Sequence, residues 1–234
     1  MATVLITGAG RGLGLEFARQ YAADGWQVLA LARTVSSELS EVMATGGGRI
    51  RHHALDVEDL DAIRALATEL KGTAIDVLIN NAGVMGSSGR GSGTSRFGAT
   101  DYAAWSTAFR VNVQAPLAVS EAFVEHVAAS REKKIATLSS LMGSIAANRL
   151  GGFYAYRSSK AAVNAVVKSM ALDLARRGIV CLAFHPGWAR TDMGGPQADV
   201  PVEKSVTGMR RLIAEAGPAQ SGHFLQYDGA ELSW

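Results

Sequence analysis

The chain has 234 residues, with 23 basic and 21 acidic side chains and a net charge of +2. Hydrophobic residues make up 48% and charged residues 19%, which suits one domain with a sizeable core and excludes a disordered chain. So even a charge balance leaves no field for nucleic acid or an anionic membrane surface, and neither partner is expected. The single cysteine, Cys181, precludes an internal disulfide and suits a reducing cytoplasm. Met1–Thr7 lacks the charged and long apolar regions of a signal peptide, and no apolar stretch reaches the length of a membrane span.

Apolar runs alternate with helical patterns from end to end. Strands are expected at Thr3–Thr7, Gln27–Ala32, Arg49–Leu55, Ala74–Asn80, Ile135–Ser139, Ile179–His185 and His223–Tyr227. Between them, helical periodicity covers Leu13–Ala23, Glu38–Ala44, Glu58–Leu70, one long stretch Asp101–Ala129, Tyr154–Arg177 and Val202–Ala214. This alternation implies a single α/β domain of the Rossmann type. Its seven-stranded, mostly parallel sheet would be doubly wound, with helices on both faces. Two glycine-rich segments, Gly86–Gly98 and Gly194–Pro201, follow strand ends, where such sheets bind ligands; the second is read as a lid.

Thr7-Gly8-Ala9-Gly10-Arg11-Gly12-Leu13-Gly14 joins the first strand to the first helix. Glycines there let a pyrophosphate approach the helix N-terminus. The spacing is not G-x-G-x-x-G, because Leu13 stands where the third glycine would fall. The pattern is instead T-G-x-x-x-G-x-G, on Gly8, Gly12 and Gly14.

Farther on, Tyr156 and Lys160 are four apart and share a helix face, whereas Tyr154 and Lys160 are six apart and do not. An ammonium beside a phenol favours the phenolate, so this pair can exchange a proton with a substrate oxygen. Pro116 has no N–H to give the carbonyl of Asn112, four residues earlier, so a free carbonyl, a bound water beside Lys160 and a kink are expected in the long helix.

With Asn80-Asn81-Ala82-Gly83, Leu138-Ser139-Ser140 and Pro186-Gly187 in the same order, these motifs resemble the short-chain dehydrogenase/reductase family over essentially the whole chain. His185-Pro186-Gly187-Trp188 and the tail from Tyr227 to Trp234 resemble its branch of sniffer-like carbonyl reductases and C-signal-like proteins. The resemblance implies an oxidoreductase that reversibly reduces an aldehyde or ketone to an alcohol with a nicotinamide cofactor. Tyr156 would be the general acid/base and Lys160 its partner, with Ser140 on the substrate oxygen and Asn112 as the fourth member. Gly8, Gly10, Arg11, Gly12, Leu13, Gly14, Asn80, Ala82, Gly83, Pro186 and Gly187 would line the cofactor site. Thr191 would meet the nicotinamide carboxamide, and Asp56-Val57 the adenine. Asp56 could equally cap the following helix, and Thr191 or Asp192 another. A homo-oligomer, dimer or tetramer, is implied by resemblance alone.

NAD-binding chains of this fold carry a carboxylate at the end of the second strand. Here Ala32 stands in its place, followed by Arg33, and Arg11 adds a second cation; two guanidiniums suit a 2′-phosphate. NADPH/NADP+ is therefore the expected cofactor, with NADH as the alternative. Two other readings share these residues: an NAD-linked alcohol dehydrogenase, and a dinucleotide-binding regulatory or signalling protein with incidental turnover. The substrate walls are expected at Ser140, Met142, Tyr156 and Trp188, with Ile145, Leu150 and Phe153 making them apolar. No histidine sits at metal-ligand spacing, so no metal is expected. Trp105, Phe109, Phe123 and Val127 repeat at helical intervals and read as core or subunit interface.

Overall fold

The structure is a computed structural model that describes residues 1–86 and 96–234. Most of the first glycine-rich segment, residues 87–95, therefore lies outside the described residues. The seven strands are β1 (Thr3–Thr7), β2 (Gln27–Ala32), β3 (Ile50–Ala54), β4 (Val77–Asn80), β5 (Lys134–Leu138), β6 (Val180–His185) and β7 (Phe224–Gln226). They form one sheet in the order β3-β2-β1-β4-β5-β6-β7, every neighbouring pair parallel.

The helices are α1 (Gly12–Ala23), α2 (Ser37–Thr45), α3 (Leu60–Glu69), α4 (Tyr102–Phe109), α5 (Ala115–Ala128), α6 (Tyr154–Asp173) and α7 (Val202–Glu215). Side chains alternate across the sheet, so each strand feeds two cores. Val4 and Ile6 join Phe17, Leu39 and Met209 beneath α1, α2 and α7, while Leu5 joins Ile63, Phe123 and Val167 beneath α3, α5 and α6. Helices on both faces explain why the central strands are apolar throughout rather than alternating. Three starts are capped by side-chain oxygens: Ser36 for α2, Asp59 for α3 and Asp101 for α4.

The long helix expected over Asp101–Ala129 is three segments. A π-helical turn, Arg110–Gln114, separates α4 from α5, and the N–H of Ala115 reaches back five residues to the carbonyl of Arg110. Pro116 follows within the first turn of α5, so the bonding register slips where a donor is missing. Phe123 and Val127 are core, whereas Trp105 and Phe109 line a surface groove of about 560 Å³ with Tyr102, Ser106, Arg110 and Gln114.

Strand order reverses direction between β1 and β4. The crevice at that switch point is where open α/β sheets take ligands.

Candidate active site

Two turns form the crevice, and one threonine ties them. Thr7 Oγ1 accepts from the backbone N–H groups of Asn81 at 3.0 Å and Ala82 at 3.1 Å. The Asn81 amide returns the link, donating to the carbonyls of Thr7 at 2.9 Å and Gly8 at 3.2 Å. Gly8 turns with φ +66°. Gly14 leaves no room for a side chain: a Cβ there would stand 2.3 Å from the Gly8 carbonyl oxygen. Leu13, the departure from G-x-G-x-x-G, packs against the core.

Asn80, expected to serve the cofactor, is placed differently. It is buried, and its amide donates to the Pro116 carbonyl at 3.3 Å and to Ser120 Oγ at 3.0 Å. It therefore anchors α5. Thr7 and Asn81, which the sequence reading does not single out, tie the two turns of the crevice together. Strand alternation is the signal that could have found Asn81, since Asn80 closes β4 and Asn81 is the first residue free of it.

Tyr156 and Lys160 lie buried on the inner face of α6. Lys160 Nζ stands 5.7 Å from the Tyr156 ring centre and donates to the Leu138 carbonyl at 2.8 Å. Burial pulls the lysine pKa from 10.5 down to about 8. Gly83 lies beside it: a Cβ at that position would crowd Asn112 Oδ1 at 3.3 Å and make an ordinary contact with Nζ at 3.6 Å. Tyr154 is on the rim, 37% exposed and edge-on to Phe97.

Ser140 follows β5, with its hydroxyl accepting from the N–H of Met142 at 3.2 Å. That contact uses an acceptor and leaves the O–H available to donate. Ser139 faces α6 instead and donates to Asn164 Oδ1. Asn112, in the π turn, clamps Val84: Oδ1 accepts from its N–H at 2.9 Å, and Nδ2 donates to its carbonyl at 2.8 Å and to Ser159 Oγ at 2.9 Å. Its side chain is thus a brace between the segment after β4, the π turn and α6.

Around this centre, Arg33 is exposed just past β2. Arg11, expected beside it, pairs with Asp192 at 2.9 Å. Asp56 is exposed and accepts from the N–H of Glu58 at 3.0 Å, ahead of half-buried Val57; the cap of α3 is Asp59, three residues on. No helix begins at Thr191 or Asp192; Thr191 Oγ1 accepts from the N–H of Gly194 at 3.2 Å. Pro186 is held by Ser205, whose Oγ donates to its carbonyl at 2.6 Å, and Gly187 turns with φ +74°.

The segment read as a lid is fastened along its length. The Trp188 indole donates to the Gly194 carbonyl at 2.8 Å, Arg190 Nε donates to the Ala198 carbonyl at 2.8 Å, and the N–H of Val200 donates to Trp188 at 3.1 Å. These bonds tie the segment to the turn after β6, while Pro196, Gln197 and Asp199 remain exposed.

The crevice fits a dinucleotide. The N-terminus of α1 opens on a glycine turn where the backbone can be approached closely, and Arg11 and Arg33 are exposed cations. Chemically, a buried tyrosine–lysine pair and a serine hydroxyl at the end of β5 are groups able to exchange a proton with an oxygen and to hydrogen-bond it.

The chain is similar to known proteins in sequence and in fold. Residues 2–200 match the family described as short chain dehydrogenase. The C-signal protein of Myxococcus xanthus is 44% identical over 172 residues, which span 74% of this chain and the whole of that protein. Two solved structures superpose at TM-score 0.89 and 32% identity over all of this chain. They are an NADPH-bound carbonyl reductase from chicken fatty liver, covered to 99%, and the carbonyl reductase Sniffer of D. melanogaster, covered to 100%. The chain belongs to the short-chain dehydrogenase/reductase family of oxidoreductases.

Proposed function

We propose that the protein is an NADPH-dependent carbonyl reductase that reversibly converts an aldehyde or ketone to an alcohol. The bound nicotinamide would supply the hydride to the carbonyl carbon and take it back in the reverse direction. Tyr156 gives its phenolic proton to the carbonyl oxygen. Lys160 holds positive charge beside the phenol and favours the phenolate left behind. Ser140 donates to the same oxygen as charge develops on it. Asn112 braces Lys160 through Val84 and Ser159, and its main chain in the π turn is the place for a water leading away from the lysine.

The turn from Gly8 to Gly14, with Ala82, Gly83, Pro186, Gly187 and Thr191, would hold the cofactor. Asp56 and Val57 would take its adenine end, and Arg11 and Arg33 its 2′-phosphate. Ser140, Met142, Tyr156 and Trp188 would face the substrate. Ile145 and Leu150, 78% and 90% exposed, support an apolar substrate that covers them. The carbonyl reductases from chicken and Drosophila support the reaction class. The outward Tyr102 and Trp105 support a homo-oligomer, and the lone, buried Cys181 supports the cytoplasm as the site of action.

The observation that carries the reading is Lys160, buried with a lowered pKa beside the Tyr156 ring. The test is NADPH oxidation with a panel of aldehydes, ketones and quinones, where turnover on at least one is expected. A regulatory role is the second reading, favoured by the 44% identity to C-signal. Tight NADPH binding with no turnover on any carbonyl would select it.

A further inference from the structure

The backbone on either side of Arg11 touches opposite ends of the crevice. Gly10 lies at the end of β2: a Cβ there would be 3.6 Å from Ala32 Cβ and 3.9 Å from the Thr34 carbonyl, and Ser36 Oγ donates to the Gly10 carbonyl at 2.6 Å. Gly12 lies at the turn after β6, where a Cβ would be 3.2 Å from Thr191 Cγ2. Arg11 stands between, and its guanidinium has turned to the β6 side: Nη1 meets Asp192 Oδ2 at 2.9 Å. Both side chains of this pair are 77% exposed.

An ion pair so exposed is weak, screened by water on both sides, so a better anion can take the arginine away. A phosphate dianion is such an anion, since it offers a guanidinium two parallel charge-assisted hydrogen bonds. The β2 end, where Arg33 waits as a second exposed cation, is one residue from Arg11 along the chain at Gly10 and within reach of a long side chain.

We propose that Arg11 is a two-position residue, held by Asp192 in the free protein and by the 2′-phosphate of NADPH in the loaded one. Asp192 is then a specificity-determining residue that acts through Arg11 and loosens the hold on NADPH alone. NADH, with no 2′-phosphate, leaves the ion pair in place. The inference rests on the NADPH reading given above.

The test is binding rather than turnover. Wild type, Asp192→Asn, Arg11→Ala and the double variant are titrated with NADPH and with NADH at low ionic strength, following cofactor fluorescence. Asp192→Asn is expected to tighten NADPH about two- to five-fold and to leave NADH unchanged. Arg11→Ala weakens NADPH, and in that background Asp192→Asn loses most of its gain. High salt shrinks the effect. Asp192→Ala serves as a second variant, and circular dichroism checks that each is folded.

An unchanged NADPH affinity in both Asp192 variants overturns the inference, as does equal tightening of both cofactors or a full gain without Arg11. Those outcomes, with wild type still binding NADPH, sink this inference alone. A wild type that binds neither dinucleotide removes the NADPH reading and this inference with it.

Discussion

Lys160 reaches from the second turn of α6 to the main-chain carbonyl of Leu138, the last residue of β5, at 2.8 Å. The bond fixes the ammonium between the strand that delivers Ser140 and the helix that delivers Tyr156. It offsets part of the cost of burying this side chain, a burial that lowers the pKa from 10.5 to about 8.

That shift has a direction in stability. Between pH 8 and 10.5 the unfolded chain binds the lysine proton and the folded protein does not, so folding strengthens as pH rises through this window. Below pH 8 the cost of burying the charge, on the order of 3 kcal/mol, is present in full. Urea unfolding across this range should show wild type gaining on Lys160→Met as pH rises. Parallel curves for the two proteins would refute it.

The two serines after β5 should separate cleanly. Ser140→Ala is expected to lower kcat about 100- to 1,000-fold with little change in melting temperature. Ser139→Ala strips a donor from Asn164 Oδ1 and should cost stability, about 1–3 kcal/mol, while turnover survives. Steady-state kinetics beside thermal unfolding decides it, and a reversed pattern would assign the catalytic role to Ser139.

Thr7 should matter more than its size implies. Thr7→Val keeps the shape but leaves the N–H groups of Asn81 and Ala82 without their acceptor. A loss of about 1–3 kcal/mol is expected, with weaker NADPH binding because the two turns lose their tie. Chemical denaturation and a cofactor titration on the same sample measure both, and an unaltered affinity would show that the tie does not shape the crevice.

How far the sequence reaches can be judged from particular residues. Strand and helix order follows from alternating apolar periods, and the boundaries differ from the structure by up to four residues because ends are set by caps such as Asp59 rather than by hydrophobicity. The π turn was invisible to periodicity, since one slipped hydrogen bond leaves the apolar pattern nearly unchanged. Pro116 was its only trace.

At the site, i to i+4 spacing separates Tyr156 from Tyr154, and the structure buries the first and leaves the second on the rim. Motif resemblance alone could not tell Asn80 from Asn81, because the two amides face opposite sides of the strand end. The Arg11–Asp192 pair spans 181 residues, and no local pattern could announce it. The fastening of Gly194–Pro201 likewise depends on Trp188 and Arg190, whose side chains donate to the carbonyls of Gly194 and Ala198 and leave no mark in apolar periodicity.

The central claim is that Tyr156 moves the proton. Turnover of Tyr156→Phe and Tyr154→Phe on one active carbonyl, with NADPH affinity measured for each, tests it most directly. Tyr156→Phe should lose about 100-fold or more in kcat and keep its NADPH affinity, while Tyr154→Phe keeps turnover. A Tyr156→Phe enzyme that still turns over at the wild-type rate, or a Tyr154→Phe enzyme that does not, would contradict the account.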